Sequence, residues 1–167
     1  MHTTYLELVP TDPTYVPTAE RMNRARAVFE TLMPGVCGFS LDEYGFEMRH
    51  SDVYPTIQLF SGIFSDKAFC PKCNSDLSDW WMPELSRKSE LRVLSDLQIV
   101  VPCCNAITYL HELFYPFDNL TNVYTVGFGR FCLSADTVFF ASGISQDAWL
   151  PIEKVIGCKL KTLLVSF

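Results

Sequence analysis

The chain has 167 residues, enough for one domain with an inserted subdomain, and 49% of them are hydrophobic, including 13 Phe and 7 Tyr, which excludes disorder as an account of the whole. Thirteen Lys plus Arg against nineteen Asp plus Glu leave a formal charge of −6, so a phosphate backbone meets net repulsion unless a local basic patch offsets it. The opening MHTTYLELVP has no basic start followed by a long apolar run, and no stretch reaches the ~20 apolar residues that span a bilayer, so the expectation is a cytoplasmic chain with no membrane association.

In chain order, residues 4–9 alternate as a strand does, and Pro10, Pro13 and Pro17 keep the next segment irregular. Thr18 can cap a helix over 19–33, whose Met22, Ala25, Phe29, Leu32 and Met33 form an apolar stripe, with Pro34 and Gly35 as the stop. Strands are predicted over 36–41 and 56–60, with a turn at 42–45 and a loop approaching Cys70. Helical turns are predicted at 78–82, at 89–97 from Leu91, Leu94 and Leu97, and after residue 104 from Ile107, Leu110, Leu113 and Phe114. Two β-rich runs, 123–128 and 130–140, follow, with Gly127 and Gly129 read as a bulge or tight turn between them. Ser145 or Asp147 caps a helix to about Ile156, Gly157 ends it, and 159–167 is a last strand.

This order predicts a single α+β domain over 1–167, a mostly antiparallel sheet with helices on one face. A ferredoxin-like split βαβ arrangement satisfies it, with residues 66–115 as an inserted zinc-knuckle and helical segment. No internal sequence repeat or low-complexity tract is evident.

Seven cysteines are an odd number and argue against a fully paired disulfide framework. Cys70-Pro71-Lys72-Cys73 has the two-residue gap by which one turn presents two thiolates to a tetrahedral ion, and Cys103 and Cys104 follow Pro102 about thirty residues on. Four thiolates complete a structural Zn2+ shell, whereas catalytic zinc keeps a position open. Neighbouring side chains in regular structure diverge, so either a turn at Pro102 brings both cysteines inward or His111 or His50 replaces one of them. A redox CxxC is the competing reading of Cys70 and Cys73, and it leaves Cys103 and Cys104 unexplained. Cys37, Cys132 and Cys158 read as small core residues.

No catalytic set emerges: the acid pairs Asp42–Glu43 and Asp76–Asp79 fit an acidic surface, and Gly127-Phe128-Gly129 is too short for a dinucleotide loop. The adjacent Trp80 and Trp81 either cover the zinc ligands or stand exposed as a partner-binding anchor.

These pieces resemble a family of short uncharacterised bacterial proteins with an extended first strand, a proline-rich link, a CPxCG knuckle, a Trp-rich segment, a PCCG element and a helix ending in glycine. The matching residues are Leu8 to Pro17, Cys70 to Cys73, Trp80-Trp81, Pro102 to Cys104 and Leu150 to Gly157, while Asn74 and Asn105 stand where the pattern has glycine. Asn is the residue next most tolerant of the left-handed conformation such turns need. The resemblance implies a zinc-binding bacterial protein and, by analogy, an immunity protein or regulatory binder.

The leading functional expectation is therefore a zinc-stabilised cytoplasmic protein that binds a cationic protein partner. The alternatives are a small zinc- or thiol-dependent enzyme, and a nucleic-acid-binding zinc module using Lys67, Lys72, Arg87, Lys88 and Arg92.

Overall fold

A computed structural model describes residues 4–37, 48–50, 53–62, 66–88, 93–94, 96–118, 123–137 and 145–166. The strands are β1 (Thr4–Pro10), β2 (Met48–His50), β3 (Ile57–Ser61), β4 (Val93–Leu94), β5 (Gln98–Val100), β6 (Ile107–Tyr109), β7 (Phe117–Asp118), β8 (Val123–Tyr124), β9 (Val126–Gly129), β10 (Leu133–Thr137) and β11 (Leu160–Ser166). The α-helices are α1 (Ala19–Cys37), α2 (Ser78–Lys88) and α3 (Leu150–Ile156).

The fold is α+β. Its main sheet has the order β2-β10-β1-β11-β8-β7 and is antiparallel except where β11 meets β8 at Leu163 and Tyr124. The central strand β1 pairs from Thr4↔Thr137 to Leu8↔Leu133 on one side and from Thr4↔Ser166 to Pro10↔Leu160 on the other. Helix α1 links β1 to β2 and α3 links β10 to β11, and each linked pair of strands is separated in the sheet by one strand of the other pair.

Period-2 alternation assigns the two faces of this sheet. Leu6, Leu8, Leu133, Ala135 and Leu164 point to the helices, where Phe29 of α1 meets Trp149 at a ring separation of 6.1 Å. The Trp149 indole N–H donates to Thr162 Oγ1 at 2.8 Å, so the largest buried ring of this layer leaves no polar group unsatisfied. Thr18 accepts at the N-terminus of α1 from the Arg21 N–H, as a capping residue should. Ser145 caps a 3₁₀ turn, Gln146–Trp149, that leads into α3, and Gly157 ends α3 with φ 89°.

The opposite face carries Tyr5, Val9, Leu163 and Val165, and a second sheet of order β4-β3-β9 lies against it. Strand β9 shows why it can come so close. Val126 and Phe128 point away into a second hydrophobic core, while Gly127 faces the main sheet, where an added Cβ would lie 2.6 Å from Val9 Cγ2 and 3.2 Å from Leu163 Cδ1. Gly127 and Gly129 therefore sit within a strand, not at the bulge or turn expected between two strands, and the missing side chain sets the spacing between sheets.

Other expectations are revised. Helix α1 continues through Pro34 and Gly35 to Cys37; a proline late in a helix removes one hydrogen bond without forbidding the next residues. Of the helix predicted over 89–97, residues 89–92 and 95 lie outside the described residues; Val93–Leu94 is instead strand β4, and Leu94 and Leu97 are buried, since spacing by three in so short a run does not separate helix from strand. The segment after Cys104 begins as strand β6, exposed at Ile107 and Tyr109 and buried at Thr108, before a 3₁₀ turn at Leu110–Glu112. The remainder of the strand expected over 36–41, and the turn at 42–45, lie outside the described residues.

Glu7 stands on the same sheet face as Tyr5 and Val9 and borders a cavity of about 330 Å3 with Gln58, Ser61 and Cys132. Burial pushes its carboxyl up to about 7 from an ordinary 4.5. The folded state then keeps a proton that the unfolded chain releases, so this group's contribution to stability is present below pH 4.5 and is lost as pH rises to 7. Glu7→Gln is expected to exceed wild type in stability by up to about 3 kcal/mol at pH 8, with the difference vanishing towards pH 4.5, in urea unfolding at the two pH values. Gly127→Ala is expected to lose about 1–3 kcal/mol in the same assay at pH 7 through overpacking against Val9.

Candidate metal centre

Each cysteine cluster sits in the turn of a β-hairpin. The first is closed by the bridge Phe69↔Asp76, the second by β5 and β6, whose last pair is Val100↔Ile107. The two turns are built alike. Cys70 N–H donates to Ser75 C=O and Asn74 N–H to Cys70 C=O; Val101 N–H donates to Ala106 C=O and Asn105 N–H to Val101 C=O. Asn74 at φ 62° and Asn105 at φ 55° are the described non-glycine residues in the left-handed region, as expected where the resembled pattern has glycine.

The equivalence runs Pro71 with Pro102, Cys73 with Cys104 and Asn74 with Asn105, so a short local repeat exists that the sequence reading had not found. It also places Val101 where Cys70 stands. Both are buried, at 0% and 1% exposure, and the second turn draws its other sulfur from Cys103, the counterpart of Lys72. A proline-led turn closed by a left-handed residue is not regular strand, so Cys103 and Cys104 need not diverge.

The four Sγ atoms lie within 4.8 Å of one another. The closest approaches cross between hairpins, 3.3 Å from Cys73 to Cys103 and 3.9 Å from Cys70 to Cys104, with 3.9 Å between Cys103 and Cys104. Tetrahedral zinc with Zn–S bonds of about 2.3 Å sets sulfurs about 3.8 Å apart, so this donor set fits such an ion without rearrangement. The four cysteines are free thiols in the structure.

The sulfurs differ in how readily they ionise. The Ser75 hydroxyl, 3.1 Å from Cys73 Sγ, and then the Ser75 backbone N–H bring Cys73 down to about 6. Loss of water around Cys103, and then its contacts with Cys73 and Cys70, push that thiol up to about 12. Burial opposes ionisation of Cys70, but the backbone N–H groups of Cys73 and Lys72 outweigh it and the thiol is lowered.

Trp81 is fully buried beneath the first hairpin, in the same core as Cys70, Leu77 and Ile99. Its indole N–H donates to Tyr115 Oη at 2.9 Å, and Tyr115 in turn donates to Leu110 C=O at 2.6 Å, tying α2 to the segment after the second hairpin. Trp80 is half-buried and lines a surface groove with Glu84 and Val100. His111 is outside the cluster of ligand atoms; its ring lies 5.6 Å from Tyr109, and burial lowers its pKa against the opposing pull of Glu112 and Asp12. The backbone of His50 is in β2, paired with Leu133, and its side chain is outside the description. Cys132 is buried and Cys158 half-buried, and neither joins the cluster; the Cys37 side chain is not described.

No protein-family model, curated protein or solved structure matches this chain. What stands of the family resemblance is the cluster of four cysteines able to hold a metal ion.

Asn105→Gly is expected to keep the stability of wild type, because glycine enters the left-handed region freely. Asn105→Ala is expected to lose about 1–2 kcal/mol, and thermal unfolding of both zinc-loaded variants checks the contrast.

Proposed function

We propose that this chain is a zinc-stabilised protein that works by binding another protein, with Zn2+ held structurally by Cys70, Cys73, Cys103 and Cys104. The observation that carries the reading is the packing of four sulfurs, two from each hairpin, within 4.8 Å. Soft thiolates select zinc among the common divalent ions of a cell, and a four-sulfur shell leaves no position for substrate. The ion then cross-links two turns, which is a stabilising role and not a catalytic one.

The binding half of the reading rests on the surface of the same lobe. Val100 and Ile107 face each other across the outer side of the β5–β6 hairpin at 57% and 61% exposure, with Tyr109 on the same strand face at 42%. Apolar side chains gathered so closely suit a partner surface. The formal charge of −6 favours encounter with a cationic protein, as an immunity-type factor requires. The interleaved β1-α1-β2 and β10-α3-β11 units correspond to a ferredoxin-like split βαβ scaffold, with the hairpin lobe inserted between β2 and β10. A cytoplasmic setting, where thiols stay reduced, suits a four-thiolate zinc site and belongs to the same proposal.

A thiol-redox reading has one observation in its favour, the 3.3 Å contact between Cys73 and Cys103 with Cys73 ionising at about 6. Native mass spectrometry and sulfur-edge or zinc-edge absorption decide between the two. One zinc per chain with four sulfur neighbours is expected for wild type, with metal loss and a fall in melting temperature in Cys70→Ser and Cys104→Ser. A metal-free folded protein lighter by two or four hydrogens overturns the zinc reading. For the binding half, proximity labelling in the producing cell is expected to enrich the same basic protein with wild type and not with Cys70→Ser; absence of any reproducible basic partner overturns it.

A further inference from the structure

A groove of about 400 Å3 runs between α2 and β5, walled on one side by Trp80, Glu84 and Arg87 and on the other by Asp96, Gln98 and Val100. The helical wall is one stripe of α2, since residues 80, 84 and 87 recur at helical spacing. The other wall is a strand edge. Leu110 N–H donates to Leu97 C=O and Val101 N–H to Ala106 C=O, so the hydrogen-bonded pairs of this hairpin are 97/110, 99/108 and 101/106. The N–H and C=O groups of residues 98 and 100 therefore point away from β6, and no described strand pairs with β5 on that side. The Gln98 N–H is taken by Asp96 Oδ1 at 2.9 Å, which leaves the Val100 main-chain pair as the open donor and acceptor of the edge.

We propose that this groove receives an extended, basic segment of the protein partner, which adds to β5 as a strand. The proposal rests on the protein-binding reading and names the element of the partner that is recognised. A strand slotted between a helix and a free sheet edge takes its affinity from main-chain hydrogen bonds and its selectivity from alternate side chains. The selecting groups here are acidic and aromatic. Arg87 is committed to Glu84, with Nε 3.0 Å from Oε2, so it does not neutralise Asp96. The Asp96 carboxylate keeps one oxygen for an incoming ammonium or guanidinium, and the Trp80 ring beside it can hold the cation or its alkyl stem. A proline-rich or polyproline segment, which cannot offer a regular ladder, does not fit.

The test uses the full zinc-loaded chain, isotope-labelled, titrated with a capped (Lys-Val)4 peptide and, at equal charge, a capped (Lys-Pro)4 peptide. Expected are saturable shifts at the Val100 amide and the Trp80 indole with the first peptide, and affinity about tenfold weaker for the second. Val100→Pro removes only an outward N–H and is expected to weaken (Lys-Val)4 binding about tenfold, the worth of a main-chain hydrogen bond with its neighbours. Asp96→Asn removes the charge but keeps an Oδ1 for the Gln98 N–H; it is expected to weaken (Lys-Val)4 binding severalfold with the edge intact, and it decides the matter if Val100→Pro fails to fold. Equal binding of the two peptides, shifts confined to other surfaces, no binding of either, or undiminished binding in the variant that keeps its zinc each overturns the proposal. A cellular partner still labelled by folded Val100→Pro removes the groove and leaves the protein-binding reading standing, whereas loss of the partner from wild type itself removes that reading.

Discussion

Four cysteine sulfurs within 4.8 Å cannot all ionise in one place unless a cation sits among them. The bare thiols differ in how readily they ionise: Ser75 draws Cys73 down to about 6, while loss of water and then the contacts with Cys73 and Cys70 push Cys103 up to about 12. A divalent ion among them would offset the repulsion between their thiolates. It would turn the crowding that repels thiolates into a bond between two hairpins whose undersides already meet. Cys70 and Val101 plug the second core together with Trp81 and Leu110, and Phe69 and Phe114 exchange main-chain hydrogen bonds. Of the groove beside β5, one wall is α2, which follows the first hairpin, and the other is the second hairpin itself.

The lobe is carried by the main sheet through β9. Its alternation divides the work between two interfaces, with Val126 and Phe128 packed towards the lobe and glycine turned towards Val9 and Leu163. A side chain at Gly127 would push the small sheet away from the large one, and the second core would lose its floor. The layers thus run from α1 and α3 through the main sheet and the β4-β3-β9 sheet to the hairpin lobe. The cysteine cluster stands at the far end from α1 and α3.

The cysteine cluster was legible in the sequence because thiols at this spacing have few other uses, and β1, α1 and the closing β10-α3-β11 unit were legible because their apolar patterns are long, whereas β2 was not. Nor was the middle. Leu94 and Leu97, and Ile107 and Leu110, recur at three-residue intervals that suit a helix, yet Leu94 pairs with Ile57 in the small sheet and Ile107 with Val100 across the second turn, a hairpin that Leu110 N–H closes on Leu97 C=O. That pairing is a long-range fact with a short-range trigger, the Pro-x-Cys-Asn motif shared by residues 71–74 and 102–105. Three identities in four positions are visible only after the turns are superposed. The close approach at Gly127 depends on what lies opposite in space, so local sequence could only register that glycines were present. Trp80 and Trp81, adjacent in sequence, part company for a plain geometric reason: successive residues of a helix point about 100° apart, so one reaches the core and the other the groove.

The asymmetry of the two turns bears on the choice between metal and disulfide chemistry. Had Val101 been cysteine, each hairpin would own a CxxC pair and could close its own disulfide. Instead the second hairpin offers neighbouring residues, whose Cα atoms stand about 3.8 Å apart, short of the roughly 4.4–6.8 Å over which disulfides form without strain. Its thiols are left to look across to the first hairpin, as the contacts Cys73–Cys103 and Cys70–Cys104 show. Two cross-hairpin disulfides would need both contacts to contract to about 2 Å, pulling Cys103 and Cys104 towards different partners. A tetrahedral ion asks for no such contraction, since the sulfurs already stand near the edge length it requires. Valine at 101, where the first turn has Cys70, therefore favours an arrangement in which all four sulfurs share one centre over one in which they pair.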